Sequence, residues 1–116
     1  MLLLNPNDFN GNKIIHPDFK GKYGMFIVVA DWCHFCRMMK EPWIQFRKIA
    51  GDDFIIASVD SVKYPKLSQK LNVTGFPTIF SVNSKGKYSK YTGSRDIFEL
   101  TNVLCDTITS HPLCKN

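Results

Sequence analysis

The chain has 116 residues, a net charge of +5 at neutral pH and a hydrophobic fraction of 44%. This length allows one domain with its own core and excludes two. The lysines are scattered along the sequence, which favours a solvated surface, so we expect no nucleic-acid partner. No apolar run approaches the roughly 20 residues of a membrane span, so we expect no membrane partner either.

The N-terminal sequence bears on localisation. The apolar start Met1–Leu4 is broken by Asn5-Pro6-Asn7, whereas a signal peptide needs about 7–15 apolar residues after a basic segment. We therefore expect a cytoplasmic protein. Richness in Lys, Asn, Ile and Phe is typical of an AT-rich genome, such as that of a parasite or a large DNA virus, and makes a viral or virion-associated location a second expectation. We expect a monomer with one domain over residues 1–116 and a flexible C-terminal tail from about residue 109.

Hydrophobic periodicity and turn residues predict an alternation of strands and helices. In chain order these are an edge strand at Leu2–Leu4, a weak helix or loop at Asn7–Ile15, a strand at Met25–Ala30, a helix from Cys33 to about Ala50, a strand at Phe54–Val59, a helix at Tyr64–Leu71, a hairpin of Thr78–Val82 and Lys87–Tyr91, and a helix at Asp96–Ile108. Pro42 is expected to kink its helix, and Gly51 and Asn72 are suited to end two helices. This order predicts an α/β fold, a mixed sheet with a parallel centre, an antiparallel C-terminal hairpin and helices on both faces.

Two cysteines follow the predicted strand Met25–Ala30, in the sequence Trp32-Cys33-His34-Phe35-Cys36. A strand that leads into a helix places Cys33 at the helix N-terminus, where free N–H groups and the macrodipole favour a thiolate. The charges of His34 and Arg37 are expected to lower the pKa of this thiol further. We interpret Cys33 as the attacking thiol and the more buried Cys36 as the resolving thiol of a dithiol–disulfide exchange site. Such a site needs no bound cofactor or metal, because the sulfurs carry the electrons.

Other interpretations of the cysteines stay open. A zinc site usually needs a second cysteine pair at similar spacing, and Cys105 and Cys114 are too far apart to form one. An inert structural disulfide and two unreactive core cysteines are further alternatives for Cys33 and Cys36. For Cys105 and Cys114 we expect a packed cysteine and a frayed tail, rather than a second redox pair that relays electrons to the first.

A second motif, Gly75-Phe76-Pro77-Thr78, precedes the predicted hairpin. Proline cannot donate to a sheet ladder, so it is well placed at a strand start, where it is also a candidate for a cis bond. Together with Trp32-Cys33-x-x-Cys36 and the strand order, this motif resembles the thioredoxin superfamily, from about Leu2 to Ile108. The resemblance implies a cis proline against the active-site cysteines and a groove in which backbone groups pair with a substrate strand. The residues expected to contact substrate are Trp32, Phe35, Gly75, Phe76, Pro77 and Gly93.

The sequence departs from the family at informative positions. The pair His34-Phe35 differs from the intervening pairs of thioredoxins, disulfide isomerases and glutaredoxins. The family's buried carboxylate, six residues before the first cysteine, is replaced by Ile27, and a lysine often found near the end of the next strand is replaced by Ile56. The nearest carboxylates, those of Asp31 and Asp60, have no predicted place beside the cysteines. Resolution by the second cysteine is therefore expected to be slow near neutral pH.

The expected function is a thiol–disulfide oxidoreductase that acts on protein substrates with disulfides or thiols. It would need an electron donor or acceptor that the sequence does not identify. The alternative is a non-catalytic thioredoxin-fold binding module or adaptor, whose aromatic groove of Trp32, Phe35 and Phe76 would hold a partner. A glutaredoxin-like enzyme that uses glutathione is less well supported, because the Pro-Tyr pair of that family is absent.

Overall fold

A computed structural model describes residues 1–114 and shows seven strands and three α-helices over these residues. The strands are β1 (Leu2–Leu4), β2 (Phe9–Asn10), β3 (Lys13–Ile14), β4 (Tyr23–Val29), β5 (Phe54–Asp60), β6 (Thr78–Val82) and β7 (Tyr88–Lys90). The helices are α1 (His34–Ala50), α2 (Pro65–Lys70) and α3 (Ile97–Thr107). Single 3-10 turns lie at Pro6–Asp8, Pro17–Phe19 and Pro112–Cys114. None of the described helices is both long and apolar enough to cross a bilayer.

Five strands form the main sheet, in the order β1-β5-β4-β6-β7. β1, β5 and β4 are parallel, while β6 and β7 are antiparallel to their neighbours. β4 lies at the centre and is buried from Gly24 to Val28, because its apolar run has no polar side to expose to water. The mixed sheet with a parallel centre and an antiparallel C-terminal hairpin is therefore confirmed.

The segment Asn7–Ile15 differs from the expected weak helix or loop. It contains the end of a 3-10 turn and the short antiparallel pair β2–β3, in which Phe9 lies opposite Ile14. Gly11 allows this tight connection because its φ of 62° is in the left-handed region that glycine adopts readily. Burial of Phe9 and Ile14 in the core then holds the pair in place, a tertiary contact that local propensity does not reveal.

The sheet separates two apolar cores, because successive residues of a strand point to opposite faces. On one face, Phe26 and Val28 of β4 pack in a core that includes Leu67 of α2. On the other face, Met25 and Ile27 pack in a core that includes residues of α1 and α3. Helices on both faces are thus confirmed.

Helix α1 forms because its apolar residues recur every three or four positions and cover the sheet. Its buried residues are Cys36, Met39, Trp43, Phe46 and Ala50. The indole Nε1 of Trp43 donates to the carbonyl oxygen of Ala57 at 3.2 Å, which fixes the helix over β5. The helix ends at Gly51, as expected, with a φ of 69°. Pro42 lies inside α1, and the expected kink stays a prediction.

At the C-terminus, Cys105 and Cys114 are joined by a disulfide, with their Cα atoms 5.4 Å apart. The expectation that these two cysteines are unpaired is therefore wrong. The reason is a turn after α3, in which His111 donates to Ile108 and Cys114 donates to His111 through backbone bonds of 3.0 and 2.9 Å. The flexible tail expected from about residue 109 stays a prediction.

Candidate active site

Cys33 caps the N-terminus of α1 and Cys36 lies in its first turn. The loop from β4 turns back on itself, because the backbone N–H of Cys33 donates to Ala30 at 3.1 Å. The Cys33 Sγ accepts a hydrogen bond from the backbone N–H of Cys36, also at 3.1 Å. Both cysteines are free thiols, each about 6% exposed. One donor at the helix start is thus satisfied by a sulfur, in the place where an oxygen usually caps a helix.

The pKa of Cys33 lies below its usual value. Burial of the sulfur raises this pKa, but hydrogen bonds outweigh burial and lower it. They come from the Cys36 thiol and from the backbone of Cys36 and Phe35, and the charge of Arg37 adds to their effect. The charge of Arg37 thus acts on this pKa in the expected direction, and the tuning roles of Arg37 and His34 stay predictions.

The pKa of Cys36 moves in the opposite direction, to about 11. Burial raises it most, and the hydrogen bond to Cys33 and the charge of that sulfur raise it further. A backbone hydrogen bond from Ala30 and the charge of Arg95 partly oppose this rise. At pH 7 such a thiol is ionised in only about one molecule in ten thousand. Two neighbouring thiols with opposite shifts are suited to different chemical tasks.

The second motif lies beside the cysteines. The Phe76–Pro77 peptide bond is cis, the isomer expected from the sequence, and β6 begins directly after it. Phe76 packs against the small apolar cluster of Ala30, Cys33 and Cys36. The Phe76 ring also meets the ring of Trp32 edge to face, with 5.4 Å between centroids. The structure therefore brings both motifs into one site.

A groove runs from Pro77 to the loop before α3. It has a volume of about 350 Å³, and its lining includes Pro77, Thr78, Gly93 and Arg95. The hydroxyl of Thr78 donates to the carbonyl oxygen of Gly75 at 2.6 Å and so holds the preceding turn. Gly93 thus lines the same groove as Pro77, and its contact with substrate stays a prediction.

Phe35 is placed differently from the other aromatic residues. Its side chain is 57% exposed on the first turn of α1, next to Met38, which is 60% exposed. Its ring meets the imidazole of His34 at 5.7 Å between centroids, and it is not among the residues that line the groove. Trp32 is also exposed, at 66%, but unlike Phe35 its ring contacts Phe76. Contact of Phe35 with substrate stays a prediction.

A second cavity, which we call the resolving-side cavity, lies between α1 and the β1–β5 edge of the sheet. Its volume is about 530 Å³, and its lining residues are Met1, Leu3, Ile27, Val29, Ala30, Asp31, Cys36, Arg37, Met39, Lys40, Trp43, Ile44, Ser58 and Asp60. Ile27 and Ile56, which replace the family's charged pair, are both buried in the core under α1. Both carboxylates that the sequence left without a place, Asp31 and Asp60, line this cavity together with Cys36.

Sequence reasoning missed Arg95 and misjudged the second cysteine pair. Arg95 lines the groove and lowers the pKa of Cys36, but its only signal in the sequence is a basic residue just before a predicted helix. Helix α3 begins at Ile97, close to Arg95, and Cys105 lies about 12 Å further along the helix axis. The Cys105–Cys114 disulfide thus belongs to the opposite end of α3 from the groove.

In the described part of the chain, no three His, Cys, Asp or Glu side chains gather as a metal site would require.

Fold and site together define a dithiol domain, in which two cysteines at a helix start pack against Phe76, the residue before a cis proline at a strand start. The family model for thioredoxin matches residues 19–106, and the chain belongs to the thioredoxin family. It is 28% identical over 100 residues to human thioredoxin-related transmembrane protein 1. That match covers 85% of this chain and 34% of the human protein. It is 29% identical over 105 residues to a probable protein disulfide-isomerase A6 of Medicago sativa, covering 84% of this chain and 26% of that protein.

The chain thus spans about a third or less of the length of these two curated relatives. Among solved structures, it is similar to the Trx4 domain of ERdj5, with a TM-score of 0.75 and 17% identity. That match covers 94% of this chain and 96% of the other. Likeness at this identity shows the thioredoxin fold, in agreement with the sheet order and the helices described above.

Proposed function

We propose that the protein is a thiol–disulfide oxidoreductase that acts on protein substrates through Cys33 and Cys36. One observation carries this proposal: two free thiols within one helical turn have pKa values shifted in opposite directions, with a hydrogen bond between them. A lowered pKa supplies a thiolate for attack, and a raised pKa keeps the second thiol protonated until it is needed. Relatives described as protein disulfide-isomerases support the same class of reaction.

The reaction would proceed in two exchanges. The Cys33 thiolate attacks one sulfur of a substrate disulfide, a bond forms between Cys33 and that sulfur, and the other substrate sulfur leaves as a thiolate. Cys36 then loses its proton and attacks the Cys33 Sγ, which releases the second substrate thiolate. Two electrons have passed to the substrate, and the Cys33–Cys36 disulfide remains. The reverse sequence transfers this disulfide to a substrate dithiol.

We propose that the substrate chain lies in the groove beside Pro77. The backbone at Gly75 and Phe76 would pair with an extended substrate segment, as a strand that adds to a sheet edge does. Trp32 and Gly93 would bound that segment on either side, in keeping with their positions around the site. This arrangement supports a polypeptide substrate, since an extended backbone is what such pairing recognises.

We also propose that the protein donates disulfides and works where disulfides persist. Groups that lower the pKa of Cys33 stabilise the dithiol form, which makes the Cys33–Cys36 disulfide a stronger oxidant. The separate Cys105–Cys114 disulfide supports an oxidising compartment or a particle surface rather than the cytoplasm expected from the sequence. The reduction potential of the Cys33–Cys36 couple tests the direction: a value above that of the glutathione pool supports donation, and a value well below it indicates a reductase.

Substitution of each cysteine tests the reaction itself. Cys33→Ser should abolish exchange with a model protein disulfide, because Cys36 is protonated at neutral pH. Cys36→Ser should instead accumulate a mixed disulfide on Cys33, which intact-protein mass spectrometry detects. Exchange that survives in Cys33→Ser would overturn the proposal. A wild-type protein that binds the substrate without turnover would support the adaptor alternative.

A further inference from the structure

The resolving thiol lacks an obvious proton acceptor. Cys36 must lose its proton before it attacks, yet burial holds its pKa at about 11. Ile27 occupies the position of the family's buried carboxylate and is itself only 2% exposed, in an apolar core. A base for this step therefore has to come from another part of the chain, if the exchange described above takes place.

The register of the central strands places a carboxylate near that position. Ile27 of β4 lies opposite Ser58 of β5, and Val29 lies opposite Asp60. Because side chains alternate along a strand, Ser58 and Asp60 point to the same face of the sheet. Asp60 is thus displaced from the Ile27–Ser58 pair by about 7 Å along β5. The displacement is toward the C-terminal ends of β4 and β5, the edge of the sheet where α1 starts. Cys36, Ser58 and Asp60 all line the resolving-side cavity.

Backbone hydrogen bonds hold the Asp60 carboxylate in place. Its Oδ1 accepts from the N–H groups of Val62 and Lys63 at 2.9 and 3.2 Å. Its Oδ2 makes no hydrogen bond to the described residues and so can accept one from water. By contrast, Asp31 at the same cavity has no such anchor, since only its backbone oxygen accepts a bond, from Arg37. The cavity, at about 530 Å³, has room for several waters of about 30 Å³ each.

We propose that Asp60 positions a cavity water that takes the proton from Cys36. The proton passes from the Cys36 Sγ to the water, while that water gives a proton to the Asp60 Oδ2. The Cys36 thiolate then forms the bond to the Cys33 Sγ, and the substrate thiolate that leaves takes up a proton from solvent. Apart from Asp31, the other charged groups around Cys36 are cationic. Arg37 and Lys40 on α1 line the cavity, and the charge of Arg95, which lies in the groove, lowers the pKa of Cys36.

A two-phase reaction separates this inference from the proposed function on which it rests. In protein whose Cys33 and Cys36 are reduced and whose Cys105–Cys114 disulfide is intact, excess 5,5′-dithiobis(2-nitrobenzoate) converts Cys33 to a mixed disulfide, with release of one thionitrobenzoate. Attack by Cys36 then releases a second, so the two phases report the two cysteines in turn. Asp60→Asn is the informative variant, because the amide oxygen still accepts the bonds from the turn at residues 62 and 63. The matched control is Asp31→Asn, which removes the same charge from the same cavity.

We expect Asp60→Asn to leave the first phase unchanged and to slow the second by about a hundredfold at neutral pH, at the low end of general-base effects. Between about pH 6 and 8 the wild-type second phase should change little, because the proton acceptor is held in the cavity and its supply does not depend on hydroxide. In Asp60→Asn it should rise by about tenfold per pH unit, as hydroxide becomes the acceptor, and Asp60→Glu should restore the shallow profile. Asp31→Asn should stay within about twofold of wild type.

The outcomes are distinguishable. A second phase that is unchanged in Asp60→Asn, or equally slowed in Asp31→Asn, overturns the role of Asp60. Absence of the first phase in the wild-type protein, or both phases in Cys33→Ser, overturns the proposed function instead.

Discussion

Loss of the Cys105–Cys114 disulfide should lower the free energy of unfolding by an amount that depends on the length of the loop that the bond closes. The bond joins residues nine apart, and a loop of this size limits the entropy of the unfolded chain by the equivalent of about 2.6 kcal/mol at 25 °C. For 116 residues, unfolding entropy near the melting temperature is about 0.24 kcal/mol/K. Replacing both cysteines by serine should therefore lower Tm by about 11 °C.

The measurement needs a background without the active-site pair, because oxidation of Cys33 and Cys36 also changes stability. In Cys33→Ser/Cys36→Ser protein, thermal and urea unfolding followed by circular dichroism should show the full loss. Cys105→Ser alone, as a matched control, should lose nearly as much as the double replacement, since either change breaks the bond. A Tm that does not change, or the lack of a linked peptide in mass spectrometry of the oxidised protein, would refute the reasoning.

Other predictions concern the site and the sheet. Alkylation of Cys33 should accelerate as pH rises and level off at a midpoint below that of an ordinary thiol, whereas a normal midpoint would contradict its lowered pKa. Arg95→Gln should raise the pKa of Cys36 further and slow the second thionitrobenzoate release several-fold. Ile27→Asp should speed that release by supplying a nearer base, and lower the free energy of unfolding by about 3 kcal/mol in urea titrations. Gly24→Ala should cost more than about 2 kcal/mol, because its Cβ would collide with a backbone oxygen of β5.

Local sequence predicts the elements of this fold well. The run Met25–Ala30 has no polar side, so it fits only a strand covered on both faces, and it forms most of β4. Asn72, predicted to end a helix in the left-handed region, has a φ of 57° just after α2. Asp96 caps α3 through a bond of 2.8 Å to the N–H of Phe98, at the predicted helix start.

The relations between distant segments are harder to predict. Asp60 faces the resolving-side cavity only because β5 pairs with β4 in one register, and a slip of one residue would turn it to the opposite face. Arg95 acts on Cys36 through the packing of two segments some sixty residues apart in the chain. The Cys105–Cys114 disulfide depends on a 3-10 turn at Pro112–Cys114 that has no strong sequence signal.

The central position of β4 has a consequence for synthesis of the chain. β4 pairs with β6, whose last residue follows Cys36 by 46 positions. At about 5–20 residues per second, the ribosome takes about 2–9 s to add them. During that interval one edge of β4 is unpaired, and the wall formed by Phe76 is missing. The nascent chain therefore exposes Cys33 and Cys36 before the Phe76 side chain that packs against them in the folded protein has been made.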